Sequence, residues 1–348
     1  MKDKNKLKGL KPAKLSIMRL LLLFFPLLCL SCSANRNQKQ INIEKDVVDI
    51  KDEIQEIDFG DKLFNAHAEV QVVKKVLIIS NPKDYPNQIH LIDKNDFRYL
   101  TSTAPVGQGP GEITSLGEIL TNEAGSELYV QDYARYQFFT YNIDSVLTNP
   151  EYKPALKWNL DRDIFPITLQ MLNDTLSIGV IGMPTSPSEI HIQTGFWNME
   201  TNEIRLLDNL YPEDNHVRYD MAASSQDNLI VEAHWYKNLV VLRSFDGTEI
   251  CRITGPTEEH SDYYRRPVFA EDKLFILYQG LGRKEQQENK YFPVKIVAFD
   301  LKGNYIRTFD TGYNISSWCY DKDNHRFLFS INDDIQFGYL DLDKLNLN

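Results

Sequence analysis

The chain has 348 residues, 42% of them hydrophobic and 25% charged, the balance of an ordinary folded protein with one or two packed domains. It contains no run of 18 apolar residues, so no helix is expected to cross a membrane. Its formal net charge of −11 disfavours nucleic acid and anionic lipid headgroups as partners.

The first element is a leader. An apolar stretch at residues 20–30, broken by Pro26, follows Lys2, Lys4, Lys6, Lys8, Lys11, Lys14 and Arg19. A basic region, a short apolar core and small residues form an export signal. The next residues read Leu27-Leu-Cys29-Leu-Ser31-Cys32-Ser33 and resemble a bacterial lipobox. Residues 1–31 are therefore expected to be a lipoprotein signal peptide, with a plain secretory signal as the alternative. Cys32 is the expected lipidation site, because only a thiol forms the diacylglycerol thioether and Ser31 supplies the small preceding residue. Cys29 competes less well, since the bulky Leu28 precedes it. A chain beginning at Met18 would already carry a complete short signal. Removing residues 1–31 takes away seven basic groups and one acidic group, leaving 31 basic and 48 acidic, a net of −17. Membrane attachment would then come from acyl chains rather than charge.

Residues 32–52 are expected to be a tether. Within and beyond it, Ile43, Val47, Ile50, Ile54 and Ile57 follow helical spacing. A strand over residues 53–59 is the rival reading, and fold context favours it.

From Glu69 onward the chain repeats. Apolar runs begin at Leu77, Leu128, Leu176, Leu229, Leu274 and Phe327, spaced by 51, 48, 53, 45 and 53 residues. Each precedes a second alternating strand, as in Phe138-Phe-Thr-Tyr and Leu239-Val-Val-Leu, and several of these end at an Asp turn such as Ile143-Asp144 or Phe245-Asp-Gly247. Six such units predict an all-β, six-bladed β-propeller of four-stranded antiparallel blades over residues 53–348. An open β-sandwich is the runner-up. The sixth unit has only three strands after Ser316, so a strand from residues 53–59 is expected to complete it and close the ring. Cys251 falls on a predicted outer strand and Cys319 on an inner one, which predicts two separate thiols. No Cys/His cluster has zinc spacing.

Gly107-Gln-Gly-Pro-Gly111-Glu112 lacks the Lys-Ser/Thr ending of a phosphate loop, and no helical pattern follows it. It reads as a tight crossover between blades, where glycine supplies unusual φ values. In this turn and in the following Asp132-Tyr-Ala-Arg135, the chain resembles TolB-like and NHL-like six-bladed propeller lipoproteins of Gram-negative envelopes. The close motif covers about 40 residues and the looser blade pattern about 290. The resemblance implies an envelope lipoprotein without a defined activity.

Candidate ligand contacts lie in the hairpins and crossovers expected at one end of the propeller axis. They are Tyr85, in a hairpin longer than two strands need; Asp132 and Arg135, which could equally cap and brace their own hairpin; His234 and Trp235; Arg265; and Arg283, in a second long loop. Aromatic faces with polar edges suit sugars or peptides, and paired arginines suit acidic groups. The expected function is a monomeric, lipid-anchored binding protein holding a glycan, a peptide or a partner envelope protein. The alternative is a metal-dependent hydrolase or lactonase with its site in the central channel, whose ligands would come from different blades and leave no motif. Purely structural assembly is a third reading. No catalytic residue nominates itself, and no cofactor or metal ligand is expected. Because no acidic run follows Cys32, the periplasmic face of the outer membrane is expected rather than the cell surface.

Overall fold

The computed structural model describes residues 37–212, 214, 216–255, 262–281 and 292–347. The expected leader over residues 1–31, Cys32 and Arg283 lie outside the described residues. Within them, six antiparallel sheets follow one another in sequence, each hydrogen-bonded in the order inner, second, third, outer strand. Blade 1 is built from Glu69–Val73, Val76–Ser80, Asn87–Asp93 and Tyr99–Pro105. Blade 2 comprises Leu116–Thr121, Glu127–Asp132, Gln137–Asn142 and Ala155–Asn159. Blade 3 runs through Phe165–Met171, Leu176–Ser186, Glu189–Asn198 and Glu203–Leu206. Blade 4 is Tyr219–Ser224, Leu229–His234, Leu239–Ser244 and Glu249–Thr254. Blade 5 is Asp262–Ala270, Lys273–Leu281, Lys295–Asp300 and Tyr305–Asp310. Blade 6 has Ile315–Asp321, Arg326–Ile331 and Phe337–Asp341 from the C-terminal end of the chain, and Gln55–Glu56 as its outer strand. The protein is a six-bladed β-propeller. The sequence expected an Asp turn after Ile143; Asn142 instead caps a six-residue helix, Ile143–Thr148, by accepting the Ser145 N–H.

Burial explains why the repeat was readable. The second strands Val76–Ser80, Leu229–His234 and Arg326–Ile331 are buried at every position. They lie in mid-blade, covered on both faces by neighbouring blades, so both faces are largely apolar, and the polar groups among them, such as Glu232 and Arg326, are hydrogen-bonded or ion-paired. The core is accordingly a ring of wedges between blades. Between blades 5 and 6, for example, fully buried Phe327 packs its ring 5.0 Å from Phe275 and 4.8 Å from Trp318. Cys251 and Cys319 are both free thiols. Burial pushes Cys319 up to about 12, so it stays protonated.

The ring closes as the sequence expected. Gln55 and Glu56 pair with Tyr339 and Gly338, and the Ile57 N–H donates to the Phe337 carbonyl at 2.9 Å. Strand alternation then sends Ile54 into the core between blades 5 and 6 and Ile57 into the core between blades 6 and 1. A second closure uses charge. Lys94, 2% exposed, donates to Asp321 at 2.5 Å and to Asp323 at 2.8 Å, while Arg326 pairs with Asp321 at 3.3 Å and donates to the Lys94 carbonyl.

The tether expectation for residues 32–52 needs correction from Gln38 onward. Gln38–Gln40 adds an edge strand to blade 4, and Val47–Asp49 pairs in parallel with the outer strand of blade 5. Ile41, Ile43 and Ile50 are buried. The helical spacing of the isoleucines arises from a segment that touches successive blades, not from a helix; only Lys51–Glu53 forms a single 3-10 turn.

Starting the chain at Asn65 removes the closing strand and these edge strands together. Burial of Ile54 and Ile57 alone contributes about 3–6 kcal/mol. A thermal melt of that truncation is expected to fall by roughly 10 °C or more, with aggregation through the bared edge of blade 6. Melting at the temperature of the full chain would show that the ring closes elsewhere.

Candidate functional site

In this topology each inner strand begins, each second strand ends and each third strand begins at the same end of the axis. The hairpins and crossovers named from the sequence share that loop face. Residues 81–86 are braced there: Asn81 donates to the carbonyls of Asn65 (3.1 Å) and Ala66 (2.9 Å), and Asp84 accepts the Asn65 N–H at 2.9 Å and contacts His90 at 3.0 Å. Tyr85 stands out from this support, 86% exposed.

Asp132 is fully buried and accepts the backbone N–H groups of Thr114 (2.8 Å), Ser115 (3.2 Å) and Ala134 (3.1 Å). Arg135 lies 3.5 Å from Asp132 and donates to the carbonyls of Glu112 and Gly107. The Asp-x-x-Arg pair therefore fastens the glycine crossover to its hairpin. That crossover is folded around Glu112, which accepts the Gly109 N–H at 2.6 Å; a Cβ on Gly107 would lie 1.9 Å from the Glu112 carboxylate.

His234, Trp235 and Tyr236 alternate in fate. His234 is 1% exposed and bonds the Tyr211 hydroxyl at 2.9 Å, while Tyr211 donates to Glu232 at 2.8 Å. Burial, with Lys237 adding repulsion, pushes His234 down to about 3, and its ring is not presented to a ligand. Tyr236 is 53% exposed. Trp235 turns toward the axis: its indole N–H donates to Asp220 at 2.9 Å, and the Arg265 guanidinium stacks 3.9 Å from its ring centroid. Among the described sequence candidates, the structure brings together Asp132 with Arg135, on their own hairpin, and Trp235 with Arg265, at the channel.

What it adds is a central channel. Inner strands of all six blades line a cavity of about 840 Å³ on the axis, a volume suited to a small-molecule ligand. A second cavity of about 310 Å³ shares Asp220, Trp235 and Arg266 with it. Four charged residues line the larger space: Glu69, Glu118 and Asp220, toward the loop-face starts of their strands, and Arg266, midway along its longer one. Arg266 clamps Glu69 through two bonds of 2.6 and 2.7 Å, and its backbone N–H donates to Asp220 at 2.8 Å. Its φ is +48°, a left-handed conformation uncommon for a bulky residue, and the pairing of blade 5 slips at this point. Glu69 and Asp220 thus hold a strained backbone in place, the kind of stored strain that concentrates at functional positions. Gly117 shapes the opposite wall. A Cβ there would sit 2.7 Å from Tyr133, whose ring overlies it and whose hydroxyl donates to the Ile167 carbonyl.

Glu118 differs from the other three. No side chain among the described residues bonds its carboxyl; it accepts only the Leu169 N–H. It is half-buried in the channel wall, open to the cavity on one side and surrounded by protein on the others. Burial, then the negative charge of Glu69, with a smaller push from Asp220, raises it to about 8 against the opposing pull of Arg266 and Leu169. Among the described residues, no group of three or more His, Cys, Asp or Glu side chains could hold a metal ion.

No family model matches the chain, and no curated protein matches it. Solved structures do. A member of the DUF4221 family from Bacteroides vulgatus superposes with a TM-score of 0.57 at 10% identity, covering 82% of this chain and 94% of the other. A protein from Bacteroides fragilis gives 0.53 at 12% identity, covering 84% and 88%. The WD40 repeats of RRP9 give 0.56 at 8% identity, covering 85% and 99%. At such identities the likeness is one of fold alone.

Sequence reasoning named neither Glu69, Glu118, Asp220 nor Tyr133 as site residues. The available signal was the inward position of a polar residue on the first strand of each repeat, visible only once the repeats are set in register. Glu118 makes the site measurable. It keeps its proton in the folded protein to about pH 8, but at its ordinary value of 4.5 in the unfolded chain. The folded state then binds more protons between those values, so stability from this group falls as pH rises from about 4.5 to about 8. His234 runs oppositely: folded near 3 against an ordinary 6.5, it contributes fully above pH 6.5 and loses that contribution as pH falls toward 3. Glu118→Gln is expected to leave the acid limb unchanged and to gain stability relative to wild type between pH 5 and pH 8.5. Urea unfolding at both pH values reads this directly; an equal offset at both would show that Glu118 titrates normally.

Proposed function

We propose that this chain is an exported, lipid-anchored binding propeller of the TolB-like and NHL-like kind. It captures a small polar ligand, or the polar end of a glycan or peptide, in the loop-face mouth of its channel. The observation that carries this reading is the convergence of all six inner strands on a cavity of about 840 Å³, where a strained Arg266 is held by two carboxylates beside Trp235. Such a concave site with a few fixed polar groups is the usual form of a ligand pocket. The family assignment is supported by the Gly107-to-Glu112 crossover and its Asp132 and Arg135 fastening, and the anchor by Ser31-Cys32 behind an export signal. With residues 1–31 as the leader and the anchor at Cys32, the ring would face the periplasm from the outer membrane.

Two measurements test this. Mass spectrometry of the mature protein is expected to show Cys32 at the N-terminus, acylated, and Cys32→Ser to leave the protein unprocessed or released; an unmodified N-terminus at another residue would overturn the anchor. For the site, calorimetry against peptidoglycan fragments, neutral oligosaccharides and short peptides should find a ligand whose affinity drops at least tenfold in Trp235→Ala. Tyr85→Ala, at an exposed loop tip, should bind normally and stay within about 0.5 kcal/mol of wild-type stability. The reverse pattern would move the site from the channel to the outer loops, and binding by no member of the panel would sink the reading.

A further inference from the structure

The four charged groups of the channel are not equally free. Glu69 takes both nitrogens of Arg266 and the Ser317 hydroxyl at 2.8 Å. Asp220 takes the Trp235 indole and the Arg266 backbone N–H. Arg266 is thereby spent on the protein's own carboxylates. Glu118 is left as the one carboxyl of the lining with no side-chain partner among the described residues, in a space too large for a bare ion. We infer that Glu118 is the specificity-determining residue of the channel, and that the group it takes is the protonated primary amine of a slender organic ligand.

The inference rests on the binding role proposed above and names the ligand chemistry. Three carboxyls against one guanidinium give the lining a negative balance whether or not Glu118 is ionised, and a negative balance repels carboxylates and phosphates. A primary ammonium brings the missing positive charge and three donors. The rings of Tyr133 and Trp318 in the same lining favour a cation near them, while Trp235 already carries the Arg265 guanidinium on its face. A metal ion is a poorer match, because no group of three ligating side chains forms among the described residues. Five blades contribute to what Glu118 feels: Glu69 from blade 1, Tyr133 from blade 2, the Leu169 N–H from blade 3, Asp220 from blade 4 and Arg266 from blade 5, while blade 6 adds Cys319 and Tyr320, both held protonated by burial, to the same lining. Since Glu118 holds a proton near neutrality, an ammonium binds by displacing it: the carboxyl releases one proton to solvent, and the carboxylate left behind pairs with the ligand.

The test is isothermal calorimetry on the full mature chain in detergent, with 1,5-diaminopentane, Nα-acetyl-lysine amide, glucosamine and the uncharged 1,5-pentanediol as probes. At least one amine is expected to bind, and the diol not. For diaminopentane and the lysine derivative, whose alkylamines stay protonated to about pH 10, Kd should tighten about tenfold per pH unit from pH 6 to pH 8 and level off above, with close to one proton released at pH 7, seen as a buffer-dependent enthalpy. Glu118→Gln should weaken the amine at least tenfold and abolish proton release; Glu118→Asp should restore part of both. A preference for diaminopentane over the lysine derivative or glucosamine would assign the site to a free amine, and the reverse to a peptide or amino-sugar terminus. Amine binding that Glu118→Gln leaves unchanged, or a diol binding as tightly as the diamine, overturns the inference. If neutral oligosaccharides bind in a Trp235-dependent way while every amine fails, the binding role stands and the amine assignment falls.

Discussion

Everything in this molecule depends on joining the first blade to the last. A propeller is a row of wedges whose apolar faces are covered only by neighbours, so the row must close or leave two faces bare. Here closure uses three kinds of interaction at one seam. Backbone pairing joins Gln55–Glu56 to Phe337–Asp341. Apolar burial places Ile54 and Ile57 in the cores on either side of blade 6. A buried ion pair sets Lys94 of the blade 1 turn against Asp321 at the end of the blade 6 inner strand. The last is the least tolerant, because removing one partner of a buried pair leaves the other charge without compensation. It also fixes position: a lysine that must meet two carboxylates and lie beside Arg326 admits one arrangement of blade 1 against blade 6.

Closure creates the channel as a by-product. Six inner strands around an axis leave a space that neither strand pairing nor blade packing fills, and the residues facing it are released from the demand to be apolar. That freedom is where Glu69, Glu118, Asp220 and Arg266 reside. The same low-polarity enclosure that keeps Glu118 protonated strengthens any charge pairing formed there, so one physical setting explains both the raised carboxyl and its suitability as a recognition group.

How far the sequence could be read follows from which faces meet protein and which meet water. The second strands of the repeats were plain because both faces are buried, giving unbroken runs such as Leu77-Ile-Ile and Phe327-Leu-Phe. The closing strand was legible because the sixth unit lacked an outer strand and the isoleucines upstream could supply it. The channel was not. In Leu116-Gly-Glu118-Ile-Leu the polar residue alternates with core residues as on any half-exposed strand, and alternation cannot distinguish channel water from bulk water. Nor could local pattern assign His234, Trp235 and Tyr236. They look like one aromatic tip, but His234 is still in the strand, and the alternation there sends it into an inter-blade core.

The two families of polar residue on the loop face thus do opposite work. Asp132 and Arg135 turn inward on their own hairpin and spend their hydrogen bonds on backbone groups of the glycine crossover, which makes the crossover rigid and leaves little to offer a ligand. Glu69 and Asp220 spend theirs on Arg266 and Trp235, and in doing so hold a left-handed backbone and an indole edge at the channel mouth. Rigidity in the first case serves the fold. In the second it serves a cavity, since side chains already fixed lose little entropy when something binds among them. Glu118, with no such duties, is the group left to respond.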